Sequence, residues 1–190
     1  MKFHIASTLR LLRCNPDDLK GWDVSGRAAR LSFLLLFLVL PVYFLTLDSL
    51  ARPHLQGVPP LAAWGILGAD YLLQWVAFPL AVALLLDLTR LSKKSFPAFV
   101  IVTNLLGTFG AFVLVPLLLL FRFGVLSEDL LYAIMSLFFM VMAILLSRWA
   151  MLLFETGLGF AVIVFLISNL TSQLISLTTL ELLKLYQNPT

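Results

Sequence analysis

Five long runs of apolar residues constrain this chain more than any other feature of its sequence. A helix needs about 20 mostly apolar residues to cross the hydrocarbon core of a bilayer. The runs are continuous and do not alternate with polar residues, which favours helices over the strands of a membrane barrel. We therefore expect five spanning helices, over residues 31–48, 68–86, 97–121, 128–147 and 160–178.

The composition supports lipid as the solvent of these helices. The chain is 61% hydrophobic and 12% charged, whereas soluble domains are about 45–50% apolar and about 25% charged. The predicted fold class is all-α: a polytopic membrane helical bundle with an N-terminal amphipathic helix on the membrane surface. Its predicted parts are a cytoplasmic basic segment, 1–30, a transmembrane domain, 31–180, and a short external tail, 181–190.

The N-terminal segment combines basic and apolar residues at helical spacing. At about 100° per residue, Lys2, Arg10 and Arg13 fall within one arc of roughly 80°. Such a helix suits a membrane surface with anionic headgroups, although a solvated helix next to the membrane is the alternative. We expect Trp22 to anchor the following turn at the interface.

The basic residues are distributed unequally between the two sides that five spans define. Short cytoplasmic loops carry an excess of lysine and arginine. Ten basic residues fall on the side of the N-terminus, and only Arg52, Arg122 and Lys184 fall on the other. This distribution predicts a cytoplasmic N-terminus and an external C-terminus, which is periplasmic if the membrane is a bacterial inner membrane.

Polar residues inside the spans are the candidates for a functional site, because they are costly in hydrocarbon. In the second span Asp70 and Gln74 lie four residues apart on one face. They could form an ion or proton relay. Alternatively, Asp70 is an interfacial carboxylate that reaches water and pairs with Arg52 or Arg122, and we favour this second interpretation.

Two further polar stripes occur at helical spacing. Small residues and amides or hydroxyls on such stripes allow helices to approach and to bond with each other. We expect the third and fifth spans to pack on each other, with a polar groove through the bundle as the alternative. The stripes comprise Asn104, Gly107, Thr108 and Ala111 in the third span, and Asn169, Ser172, Gln173 and Ser176 in the fifth.

Asp87 and Arg148 are a candidate ion pair. Both lie near the predicted cytoplasmic ends of their spans, the second and the fourth. A pair there would tie these two helices together. Alternatively, the arginine extends to the lipid headgroups by itself.

The sequence contains no pattern typical of an enzyme or a cofactor protein. The single cysteine, Cys14, cannot form an internal disulfide, and His4 and His54 lie far apart outside the apolar runs. Glycine-rich phosphate loops, G-x-S-x-G and H-E-x-x-H are absent. We therefore expect no catalytic residues, no metal, no other cofactor and no nucleic-acid partner.

One segment at the start of the chain has a family resemblance. Residues 11–33, LLRCNPDDLKGWDVSGRAARLSF, contain an N-P element and lead directly into the first span. With five spans after it, this layout resembles the Yip1-type membrane family. The Trp22-Asp23-Val24-Ser25 element is also similar to an F/W-D-x-S element of small inner-membrane proteins of alphaproteobacteria. The Yip1-type resemblance implies organisation of membranes and recruitment of partners, without catalytic residues.

Two functions follow as expectations. The first is a non-enzymatic membrane protein that organises the membrane or binds partners, as a scaffold or accessory protein. Its partners would be the lipid bilayer and other membrane proteins, or further copies of the same chain. The second is a small transporter or channel subunit, active as an oligomer, with a polar pathway near the second, third and fifth spans.

Overall fold

Every regular element in the part of the chain that the structure describes is a helix. The computed structural model describes residues 10–46, 55 and 57–187. For residues 186 and 187 only the backbone is described. A short 3₁₀ turn at Pro16–Leu19 precedes six α-helices. These are α1 (Gly26–Ser32), α2 (Leu35–Thr46), α3 (Pro60–Leu88), α4 (Phe96–Arg122), α5 (Glu128–Leu153) and α6 (Leu158–Gln187).

The five predicted spans are present as five helical stretches long and apolar enough to cross a membrane. The first stretch, Gly26–Thr46, joins α1 and α2, and α3 to α6 supply the other four. This architecture is compatible with a multi-pass membrane protein. The predicted N-terminal surface helix lies mostly outside the described residues, which begin at its Arg10, so that prediction stays open.

Two of the α-helices begin at a serine that caps the helix. The Ser25 hydroxyl accepts a hydrogen bond from the Ala28 amide, 3.2 Å away, and so begins α1. The Ser127 hydroxyl does the same for the Leu130 amide at 3.3 Å, and begins α5. Glu128 then follows in the first turn, where a carboxylate interacts favourably with the positive end of the helix dipole.

α3 and α6 extend furthest beyond the apolar runs that predicted them. α3 begins at Pro60 instead of residue 68, because proline is well suited to the first turn of a helix. α6 extends to Gln187 instead of residue 178. Its last turns are held by Leu183, which is 2% exposed and packs with Val58 and Leu67.

α4 is the central helix of the bundle. Within its span 61% of the residues are buried, against 17–33% for the other four. It packs along α1, α2 and α5, whereas α6 packs along α3 and α5. The extended contact that we expected between the third and fifth spans, α4 and α6, is not formed. A ring of helices results, with α4 and α6 on opposite sides of it.

Candidate functional site

A cleft of about 400 Å³ lies inside this ring and is lined by all five spans. It separates the two polar stripes, which face each other across it instead of touching. The amide, serine and threonine side chains on α3, α4 and α6 that line it are Gln74, Thr103, Asn104, Ser168, Asn169, Thr171 and Ser172. The structure therefore brings together four of the sequence-predicted residues, Gln74, Asn104, Asn169 and Ser172, around one space.

Asn104 is the most deeply buried polar residue of the cleft, with 1% of its surface exposed. Its Nδ2 donates to Ser32 Oγ at 2.7 Å, and that hydroxyl donates in turn to the Ala29 carbonyl at 2.7 Å. Ser32 is the last residue of α1, so the bond joins the break in the first span to the first half of α4. Ser32 was not among the predicted site residues, although a serine in the first apolar run is a signal for such a contact.

Two buried oxygen atoms beside the cleft lack a hydrogen-bond partner among the described residues. They are Asn104 Oδ1 and Thr103 Oγ1. Leaving a buried donor or acceptor unsatisfied costs about 1–3 kcal/mol. Both residues line the cleft, so a molecule bound there is a possible partner for these oxygens.

Asp70 is the centre of a second polar cluster, which ties three spans together. Its Oδ2 accepts a hydrogen bond from the Tyr43 hydroxyl at 2.8 Å, and its Oδ1 accepts one from Thr179 Oγ1 at 2.8 Å. One turn further along α3, Gln74 Nε2 lies 3.5 Å from Ser176 Oγ, at the limit of a hydrogen bond. Asp70 is thus half-buried between hydroxyl groups.

The predicted partner of Asp70 was Arg52 or Arg122. Arg52 lies outside the described residues, and the two hydroxyl partners were not foreseen. Tyr43 could have been found from the sequence, because a tyrosine inside an apolar run has a hydroxyl that requires a partner. Tyr43 also lines the cleft, and therefore connects the Asp70 cluster to it.

The stripe predicted on the fifth span is divided between two environments. Ser172 lines the cleft, and Asn169, which also lines it, donates from Nδ2 to the Phe165 carbonyl of its own helix at 2.8 Å. Gln173 is exposed on the outside of the bundle and does not line the cleft. On α4 the Thr108 hydroxyl donates to the Asn104 carbonyl at 2.7 Å.

The predicted ion pair between Asp87 and Arg148 is not formed. Asp87 Oδ1 pairs instead with Lys93 Nζ at 2.6 Å, and both side chains are largely exposed. The chain reverses after α3 through Arg90, which has a left-handed backbone (φ 56°), and this turn returns Lys93 to Asp87. Arg148 lies instead near Cys14, and its positive charge acts to lower the pKa of the Cys14 thiol.

The N-terminal segment is docked against the helix bundle from Leu11 onward. Leu11 is fully buried, and its carbonyl accepts a hydrogen bond from Trp149 Nε1 on α5 at 2.9 Å. Cys14 is 5% exposed, and burial raises the pKa of its thiol despite the nearby Arg148. Trp22 packs against the same cluster of side chains.

The predicted membrane-surface residues therefore have different surroundings. Arg10 and Arg13 are exposed, as a surface role requires. Trp22 is half-buried against the protein, and Lys2 lies outside the described residues. Leu11 in this segment contacts the bundle, whereas the neighbouring Leu12 is 37% exposed.

The chemistry available at the cleft is hydrogen bonding within apolar walls. None of the described residues that line it carries a charge. Among residues 10–46, 55 and 57–187, no group of three histidine, cysteine or acidic side chains could hold a metal ion. Compared with known proteins, this chain matches no family model, no curated protein and no solved structure.

Proposed function

We propose that this chain is a non-enzymatic, multi-pass membrane protein that binds other membrane chains through α6, as a scaffold or accessory protein. The observation that carries the proposal is Gln173. Its amide lies near the middle of the fifth span, Leu158–Leu185, on an exposed face of the helix. A mid-membrane amide on the outside of a bundle requires a partner that lipid cannot supply.

The surroundings of Gln173 are apolar. Leu166, Leu170 and Leu177 share its face of α6 and are 50–60% exposed. Only 17% of the span is buried inside the bundle, the lowest share of the five. A glutamine side chain offers two donors and one acceptor oxygen, and acyl chains satisfy none of them. A second helix with an amide or hydroxyl at the same depth does.

The distribution of charge supports an orientation for this protein. Nine of the eleven described lysines and arginines belong to the end of the bundle at which α1 begins, and only Arg122 and Lys184 belong to the other end. By the positive-inside rule the N-terminal end is cytoplasmic and the C-terminus is periplasmic. The same charges attract anionic headgroups. The resemblance of residues 11–33 supports a bacterial inner membrane and a role in membrane organisation.

The test is the association of full-length chains in native membranes, measured by co-purification of tagged and untagged copies and of other chains. Gln173→Leu should weaken association about threefold to thirtyfold, which corresponds to the roughly 0.6–2 kcal/mol of an interhelical hydrogen bond in a membrane. Gln173→Asn keeps the amide and should retain association. Leu177→Ala on the same face is the matched control.

Two results would contradict the proposal. One is a wild-type chain that purifies alone from native membranes under mild conditions. The other is a Gln173→Leu variant that retains all of the partners of the wild type. Loss of partners in both Gln173→Leu and Leu177→Ala would assign the interface to apolar packing and not to the amide.

A small transporter or channel subunit is the second candidate. It is favoured by the cleft, because Gln74, Asn104 and Ser172 from three different spans line one space. A pathway there requires an oligomer, since the chain is small and has no two-half repeat. Flux into liposomes that persists in Asp70→Asn and Asn104→Leu variants would count against this candidate.

A further inference from the structure

We infer that the cleft between the five spans is a binding site for a neutral, mainly apolar molecule that carries a hydrogen-bond donor, such as a long-chain alcohol. This inference goes beyond the binding of membrane chains by α6 and does not depend on it. It rests on the size of the cleft, on the absence of charged side chains among the described residues that line it, and on two buried oxygen atoms that have no partner within the described part of the chain.

The cleft has the size and the walls of a ligand pocket. Its volume of about 400 Å³ lies within the range of about 300–1,000 Å³ that is typical of such sites. Trp75, Phe78, Phe138 and Met142 form much of its apolar wall. Aromatic rings supply large contact areas, and methionine adapts its shape to irregular ligands.

The lining selects against a charged ligand. Among the residues that the structure describes, no lysine, arginine, aspartate or glutamate lines the cleft. Asp70 is close in sequence to Gln74, but both of its carboxylate oxygens accept hydrogen bonds, from Tyr43 and Thr179. An ionised ligand would enter without a counter-charge, which is strongly unfavourable in an apolar interior.

The unpartnered oxygens define the polar group of the ligand. Asn104 Oδ1 can only accept a hydrogen bond, so it requires a donor. Thr103 Oγ1 lies one residue earlier on α4 and can accept or donate. A hydroxyl group can donate to one of these atoms and accept from the other. An N–H group satisfies the first atom alone.

Space for the ligand also exists at the backbone of α4. Gly107 lines the cleft, and a Cβ at this position would have as its nearest neighbour the Trp75 ring at 3.9 Å. A larger side chain at this position would therefore extend into the cleft. Gly68 on α3 has nothing within 4 Å of its Cβ position and does not line the cleft, so it offers a matched control.

The experiment measures quenching of tryptophan fluorescence in the full-length chain in detergent by a bromoalkanol, a saturated chain with bromine at one end and a hydroxyl at the other. Bound bromine quenches a nearby indole, and Trp75 lines the cleft. We expect saturable quenching that disappears in Trp75→Phe and weakens at least tenfold in Gly107→Leu. Gly68→Leu should bind as the wild type does.

Two comparisons isolate the polar contact. The bromoalkane without a hydroxyl and the bromoalkyl carboxylate should both bind more weakly than the bromoalkanol. Thr103→Val should weaken binding of the alkanol about twofold to tenfold and leave the alkane unchanged. This substitution keeps the side-chain shape and breaks no hydrogen bond within the protein, so a loss of folding does not confuse the result.

The inference is overturned if quenching rises linearly with the probe, since that is partitioning into the micelle and not binding. It is equally overturned if Gly107→Leu leaves saturable binding intact, or if the carboxylate binds as well as the alcohol. None of these measurements depends on chain association, so the test is separate from that of Gln173.

Discussion

Substituting Trp149 by phenylalanine should release the N-terminal segment from the bundle. The indole Nε1 of Trp149 donates to the Leu11 carbonyl at 2.9 Å, and both residues are fully buried. Phenylalanine keeps an aromatic ring but removes the donor, so a buried carbonyl is left without its partner. That loss costs about 1–3 kcal/mol, which raises the open population of the segment about fivefold to 150-fold.

Cys14 reports this opening without any label being introduced. It is the only cysteine of the chain and is 5% exposed, so alkylation by iodoacetamide requires the segment to open. When opening and closing are fast, the alkylation rate follows the open population. The rate of Trp149→Phe divided by that of the wild type therefore measures the lost stabilisation.

The matched control is Trp64→Phe. Trp64 is 58% exposed near the start of α3, at the opposite end of the bundle from Leu11, and contacts the Phe44 ring. Its replacement should leave the alkylation rate unchanged. The reasoning is refuted if Trp149→Phe changes the rate less than twofold, or if both variants accelerate alkylation equally.

Three further predictions concern the packing around Cys14 and Gly110. Burial raises the pKa of the Cys14 thiol. The alkylation rate of the folded chain should therefore keep rising with pH after that of the denatured chain has levelled off. Identical pH profiles of the two rates would contradict this prediction. The folded state holds this proton more tightly, so the stability of the fold should fall as the pH rises above the pKa of the unfolded thiol. The unfolding midpoint of Cys14→Ala should therefore fall less over this pH range than that of the wild type. Gly110→Ala should unfold more easily in SDS than Gly107→Ala by about 1–3 kcal/mol, because its new Cβ would lie 3.1 Å from Phe138 Cζ; equal midpoints would argue against tight packing there.

The number and order of the spans could be predicted from the sequence because each apolar run is long enough to settle its own structure. The helix starts at Ser25 and Ser127 are local in the same way, since capping depends on residues within one turn. These features are local in the chain. The ends of α3 and α6 were less predictable, because packing between Leu183 and Leu67 extends α6 beyond its apolar run.

The neighbours of each polar residue could not be predicted in the same way. Helical spacing places Ser172 and Gln173 within one arc, yet adjacent residues point about 100° apart, so one lines the cleft and the other is exposed outside. Similarly, Asp87 had several basic residues within reach, and the backbone turn at Arg90 gave it Lys93. Both outcomes depend on tertiary geometry that a single sequence does not contain.

The arrangement of the ring has a consequence for how the protein is made. Every helix that α4 packs along extensively, α1, α2 and α5, precedes α6 in the chain and is synthesised before it. The central helix can therefore be covered before α6 is inserted. Until that insertion one side of the cleft has no wall. An apolar molecule from the bilayer can therefore occupy the space first and be enclosed when α6 docks against α3 and α5.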